Sequence, residues 1–158
     1  MNIRKSEGGA SVQVFGKKIE GKNYKSREGV YGIAINKLNK VAVIQTSHGD
    51  FLAGGGIEKY ETEEECLKRE LIEETGYSIK IKQLICRGIE YRFNQKMDKY
   101  LKLIGAFYLI KFEEDTGLKS EDDHELVWKT IDELKKTMCL GYQLRAIEET
   151  FKLLNIQK

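Results

Sequence analysis

The chain has 158 residues, 41% of them hydrophobic, which suits one domain with a real core. Its 27 basic and 25 acidic residues leave a net charge of +2, too little for a nucleic-acid-coating protein or a strongly basic membrane binder. No segment approaches the roughly 20 apolar residues that cross a bilayer, and Cys66, Cys86 and Cys139 lack the number and spacing of a disulfide framework or a zinc site. These readings predict a soluble, cytoplasmic protein that spans residues 1–158 as a single domain.

Short runs of alternating or β-branched residues come first in the chain. Ser11 to Phe15, Val30 to Ile35 and Val41 to Thr46 are predicted strands, the last two joined into a hairpin by the turn-like Asn36-Lys37-Leu38-Asn39. Lys17, Lys18, Lys22, Lys25 and Arg27 fit two readings equally well, attraction of phosphates or a solvated hairpin edge protected from aggregation. Ser47 to Asp50 is a turn and Phe51 to Ala53 a brief extended piece. Gly54-Gly55-Gly56 is a backbone that can bend in ways side-chain-bearing residues cannot, and a loop is predicted to follow, up to Glu61.

Thr62-Glu63-Glu64-Glu65 has the form of a capping box, so a helix is predicted to start there, and Gly76 to stop it. Leu67 and Leu71 form its apolar stripe, with Cys66 at the junction as a small buried residue. Beside that stripe Glu70, Glu73 and Glu74 stand at i, i+3 and i+4, neighbours on one helix face. Three adjoining carboxylates repel one another unless a cation lies among them, and a divalent metal is the economical explanation. Glu63 and Glu64 are expected to be a solvated face, and Glu65 a cap.

Ile79 to Phe93 and Lys99 to Phe112 are predicted to form a long antiparallel hairpin around a polar turn at 94–98. Their aromatics, Tyr91, Phe93, Tyr100, Phe107 and Tyr108, read as core or cross-strand pairs. An acidic loop follows, then a short strand over Glu125 to Trp128, a helical turn over Ile131 to Lys136, and a helix over Tyr142 to Leu154. His48 and His124 belong to no metal-ligand spacing and are expected to be exposed loop histidines. The sum is an α/β chain with a mixed sheet and two principal helices.

The run from Gly55 to Tyr77 carries a resemblance. Gly55, Glu61, Arg69-Glu70-Leu71, Glu73-Glu74 and Gly76-Tyr77 match the Nudix box, G-x5-E-x7-R-E-U-x-E-E-x-G-U with U a bulky apolar residue. At about one-in-ten residue frequencies, its seven invariant positions coincide by chance on the order of 10⁻⁷ per start position. The chain departs from the family's habits with Ala53 where proline often precedes the glycines and Tyr60 where glycine often precedes the first glutamate. Those positions shape a loop, so altered substrate fit is expected rather than lost catalysis.

The resemblance implies the Nudix fold, an α/β/α sandwich around a mixed β-sheet, and hydrolysis of a nucleoside diphosphate linked to another moiety. It implies Mg²⁺ or Mn²⁺ held by Glu70, Glu73, Glu74 and the backbone carbonyl of Gly55, with Arg69 orienting a glutamate through a forked pair of hydrogen bonds. An acid after the long hairpin, from among Glu121, Asp122, Asp123 and Glu125, is expected to complete the site as ligand or general base, with Glu125 favoured. Arg69, Glu70, Glu73, Glu74 and Glu125 are therefore the predicted catalytic set.

The function most similar to this pattern is a MutT-like nucleoside triphosphate pyrophosphatase acting on a small nucleotide, without nucleic acid or membrane, as a monomer or homodimer. Hydrolysis of dinucleoside polyphosphates or another nucleoside diphosphate derivative is the alternative. A non-catalytic nucleotide sensor on the same fold is a third reading, which the full set of box acids disfavours.

Overall fold

The computed structural model describes residues 3–5 and 11–157 of the chain. Strands β1 (Ile3–Lys5), β2 (Ser11–Phe15), β3 (Tyr24–Ile33), β4 (Val41–Thr46), β5 (Gly49–Phe51) and β6 (Ala53–Gly56) precede helix α1 (Glu63–Thr75). The long strands β7 (Tyr77–Asn94) and β8 (Lys99–Asp115) follow, then β9 (Glu125–Lys129), α2 (Ile131–Thr137) and α3 (Gly141–Leu153). Six strands form a mixed sheet in the order β1-β2-β7-β8-β3-β6, in which β2 runs parallel to β7 and β3 parallel to β8. The other three form a small antiparallel sheet, β5-β4-β9.

Side chains alternate across a strand with period two, so the large sheet feeds two cores. Val30, Ala106 and Ile110 pack with Cys66, Leu67 and Leu71 of α1 on one face. Ile33 and Phe107 pack with Tyr142, Ala146, Ile147 and Phe151 of α3 on the other. This is the predicted mixed sheet between helical layers. Among the described residues no helix is long and apolar enough to cross a membrane.

One expectation of strand pairing needs correction. The turn at Asn36 closes as predicted, with the Lys40 carbonyl accepting from the Asn36 N–H at 2.9 Å. Yet β3 and β4 share only the Ile35–Val41 bridge and then part into different sheets. The reason is burial on both sides of β4: Val41 and Val43 enter the α3 core while Ala42 and Ile44 enter the α1 core, so the strand lies between them. The predicted loop up to Glu61 follows the glycine run, which is itself a strand. Gly54, Gly55 and Gly56 pair with Tyr31, Val30 and Gly29, and this edge strand places their backbone beside α1.

Candidate active site

Helix α1 is held at both ends by its own sequence. The Thr62 hydroxyl accepts from the Glu65 N–H at 3.2 Å while the Glu65 carboxylate accepts from the Thr62 N–H at 2.9 Å, as the capping box requires. Gly76, at φ 80°, takes the left-handed conformation that ends the helix. Burial of Cys66, Leu67 and Leu71 fixes the helix rotation and brings Glu70, Glu73 and Glu74 to the rim of the core.

One cation organises these acids. Arg69 Nε and Nη2 fork onto the two oxygens of Glu61 at 2.6 and 3.0 Å, and its Nη1 reaches Glu70 at 2.9 Å and Glu73 at 3.2 Å. The expected fork is therefore present, but its partner is Glu61. The Glu61 carboxylate also accepts from the Glu58 N–H at 2.9 Å, which ties the loop to the helix. The guanidinium holds the Glu61 carboxyl far below its usual range, at about 2.

The sheet meets the acids at glycines. A Cβ on Gly55 would stand 2.5 Å from the Glu70 carboxyl carbon, so a side chain there would displace the carboxylate that Arg69 holds. Next to it the Gly54 N–H donates to Glu74 Oε1 at 2.7 Å. Glu74 is 5% exposed, and burial pushes its carboxyl up to about 7. Burial likewise raises Glu70, against the pull of Arg69.

The loop after β8 docks on the end of α1. Helix ends leave carbonyls unpaired, and here the Ser120 and Glu121 N–H groups both donate to the Glu73 carbonyl at 3.0 Å, while the Thr116 N–H donates to that of Gly76 at 2.8 Å. Those bonds bring Glu121 over the acidic face. Carboxylate oxygens of Glu70, Glu73 and Glu121 lie within 4.8 Å of one another, as do ligand atoms of Glu74, Glu121 and His124.

Glu121, and not Glu125, is thus the loop acid that reaches the cluster. Glu125 opens β9, exposed and opposite Gln45, because strand pairing has already turned the chain away. Asp122 and Asp123 are exposed as well. His124 is the residue that sequence reasoning missed. Its Nδ1 lies 2.8 Å from both Glu74 Oε2 and Glu121 Oε2, in the half-buried seam between helix and loop. Only its i+3 spacing from Glu121 hinted at this.

Other expectations divide. Glu65 is a cap, but Glu63 is not merely solvated: it accepts from Arg87 Nη1 at 2.6 Å and from the Tyr108 hydroxyl. Tyr91 pairs edge-on with Tyr24 and Phe93 tilts against Tyr100, while Phe107 is core. Tyr60, standing where the family often has glycine, sits at φ 69° with its ring in solvent, so the loop keeps a left-handed turn that a side chain tolerates poorly.

The donor set suits a hard divalent ion. Glu70, Glu73, Glu74 and Glu121 offer carboxylate oxygens, with Arg69 and His124 the cationic or hydrogen-bonding groups against them. Gly54, Gly55, Glu74 and His124 border a cleft of about 1020 Å³ that extends between the two sheets to the turn of the long hairpin.

The family model of the NUDIX domain matches residues 25–147. Among solved structures, a NUDIX hydrolase from Nitrosomonas europaea is similar at 18% identity, covering 85% of this chain and 97% of that one, with a TM-score of 0.63. A MutT NUDIX hydrolase from Burkholderia pseudomallei shares 20% identity over 79% of this chain and 98% of that one, with a TM-score of 0.60. A MutT protein from Methanosarcina mazei Go1 shares 19% over 89% and 100%, with a TM-score of 0.58. No curated protein matches the sequence significantly. With its box acids gathered on one helix face and the domain matched across most of its length, the chain belongs to the Nudix hydrolase family.

Proposed function

We propose that this protein hydrolyses a phosphoric anhydride link in nucleotides, acting on nucleoside triphosphates in the MutT manner to release a nucleoside monophosphate and pyrophosphate. Glu70, Glu73, Glu74, Glu121 and the Gly55 carbonyl would hold the Mg²⁺ or Mn²⁺. The observation that carries the reading is the meeting of Glu70, Glu73 and Glu121 oxygens within 4.8 Å, beside a nucleotide-sized cleft. A bound divalent ion supplies positive charge to phosphate oxygens and acidity to an attacking water.

The chain's own residues do the positioning. Arg69 holds Glu70 and Glu73 at a fixed separation and anchors the 58–61 loop through Glu61. Gly54 fixes one Glu74 oxygen, and His124 ties the other to the loop that carries Glu121. A site held this way needs little rearrangement when substrate arrives.

A second reading, hydrolysis of dinucleoside polyphosphates or other nucleoside diphosphate derivatives, draws on the far end of the cleft. Arg92 and Lys96 line it and form no ion pair among the described residues, which suits a substrate with a further anionic group. The test is pyrophosphate and phosphate release over a panel of nucleotides with Mg²⁺ or Mn²⁺, beside Glu73→Gln. Metal-dependent turnover that falls at least about a hundredfold in the variant, roughly 3 kcal/mol of barrier, is the expected result. Unchanged turnover in Glu73→Gln would remove the assignment.

A further inference from the structure

We propose that a second hollow, at the end of β8 far from the long hairpin's turn, binds a small amphipathic anion: a free carboxylate whose apolar body lies against Phe112 and Trp128 and whose head meets Lys82 and Lys111. This hollow shares no lining residue with the cleft, and the inference goes beyond the hydrolase reading without using it.

The hollow follows from the way the two sheets part. β3 ends its pairing with β8 at Ile33, opposite Leu109, and the chain then turns at Asn36 into the small sheet. β8 runs on to Asp115 with β7 as its one described strand neighbour. Beside the stretch that β3 leaves unpaired lies a space of about 420 Å³, walled by Ile35, Leu109, Phe112, Trp128 and Leu154. Phe112 of the large sheet and Trp128 of the small one stand edge to face with ring centroids 5.9 Å apart, while Trp128 and Leu154 remain 37% and 42% exposed. Apolar surface left concave in this way gains from any apolar body that expels its water.

Its rim carries positive charge without compensation. Lys82 and Lys111 line the hollow, and no carboxylate does. Lys80 stands directly opposite Lys111 across the β7–β8 ladder, a like-charge pairing that costs stability. Lys82 is the extra residue where the register shifts between Ile81 and Gln83, a device that re-aims a side chain. None of these three lysines forms an ion pair among the described residues. Lysines and bulges also guard sheet edges against stray pairing, but that purpose calls for no apolar hollow beside them. A carboxylate head answers the ammonium groups, and the lysine stems extend the apolar wall toward the body behind it.

Trp128 is the one tryptophan of the chain, so its emission reports on the hollow directly. The experiment titrates the protein with decanoate below its micelle concentration, beside decanol, which lacks the charge, and acetate, which lacks the body, with calorimetry on the same additions. Decanoate should shift the Trp128 emission saturably and bind about tenfold or more tighter than decanol, acetate should leave the emission unchanged, and added salt should weaken the decanoate complex. Replacing both rim lysines, Lys82→Gln with Lys111→Gln, should lower the affinity at least about tenfold. Leu154→Glu, which sets a carboxylate in the wall, should abolish binding. Lys135→Gln, outside the hollow, should bind as the parent does, and melting curves identify a variant that has failed to fold.

Silence toward decanoate in both emission and calorimetry, equal affinity for decanol, or binding that persists in either folded variant of the hollow overturns the inference. Emission that responds to phosphatidylglycerol vesicles and not to free decanoate assigns the hollow to a membrane surface, and emission that responds only to an acidic peptide assigns it to a protein partner. Either result overturns the small carboxylate. All of these outcomes leave the hydrolase reading standing, because none of the substituted residues lines the cleft.

Discussion

Helix α1 carries two sets of glutamates that look alike in composition and differ in circumstance. Glu63, Glu64 and Glu65 occupy its first turn, where the helix dipole favours negative charge. Glu65 has a cap to complete, Glu63 has Arg87 and Tyr108, and Glu64 faces water. Each acid is settled separately, by a partner of its own or by water. Glu70, Glu73 and Glu74 lie toward the other end, with no basic residue in the last turn and the dipole against them. They share one guanidinium and one imidazole, and Glu74 is nearly buried. The contrast teaches that what sets the proposed metal-holding acids apart is a deficit of local compensation, which a ligand can fill, and not acidity itself.

The largest test of that contrast is catalytic. Glu70→Gln should lower the rate of pyrophosphate release by at least about a hundredfold, some 3 kcal/mol, whereas Glu64→Gln should leave it within a factor of two. Equal losses in the two variants would erase the distinction. Next comes the shared cation. Arg69→Met leaves Glu61, Glu70 and Glu73 facing one another, and urea unfolding should show a loss of about 2–3 kcal/mol. Mn²⁺ should restore part of it, since an ion can replace the missing positive charge.

The same fork governs the response to acid. Glu61 has its carboxyl depressed to about 2 by Arg69 against an ordinary 4.5. Above pH 4.5 the ion pair contributes fully. As pH falls from 4.5 toward 2 the unfolded chain takes up a proton that the folded one refuses, so the contribution is lost across that window. Glu61→Gln should be less stable at pH 7 by about 1.5 kcal/mol and lack that part of the acid decline in thermal melts. A parallel decline in both proteins would contradict the role given to the fork.

Smaller effects belong to the first turn. Thr62→Ala removes a cap and should cost about 1 kcal/mol, with no recovery on adding metal. Arg87→Met breaks a partly exposed pair, and chemical denaturation should register about 0.5 kcal/mol. If Mn²⁺ rescued either variant as it rescues Arg69→Met, the two ends of the helix would not be independent in the way described.

Much of this was legible in the chain because it is local. The capping box at Thr62, the stop at Gly76, the Leu67–Leu71 stripe and the spacing of Glu70, Glu73 and Glu74 all lie within a few turns, where helix geometry alone fixes who neighbours whom. The long hairpin and the α3 helix were readable by periodicity for the same reason. The match from Gly55 to Tyr77 then carried the family, which the domain model across residues 25–147 bears out.

What tertiary structure decided lies at contacts between segments far apart in sequence. Nothing in the run Glu121-Asp122-Asp123-His124-Glu125 distinguishes its acids until the loop's N–H groups find the unpaired carbonyl of Glu73. Only that docking selects Glu121, turns His124 between two carboxylates and leaves Glu125 to strand β9. Likewise β4 left its hairpin because two cores claimed its two faces, and Gln143 acquired a fixed orientation from Leu52, ninety-one positions away. Spacing specifies which side chains share a helix face. Which of them meet a partner across the fold depends on packing and on backbone groups that must be satisfied wherever the chain brings them.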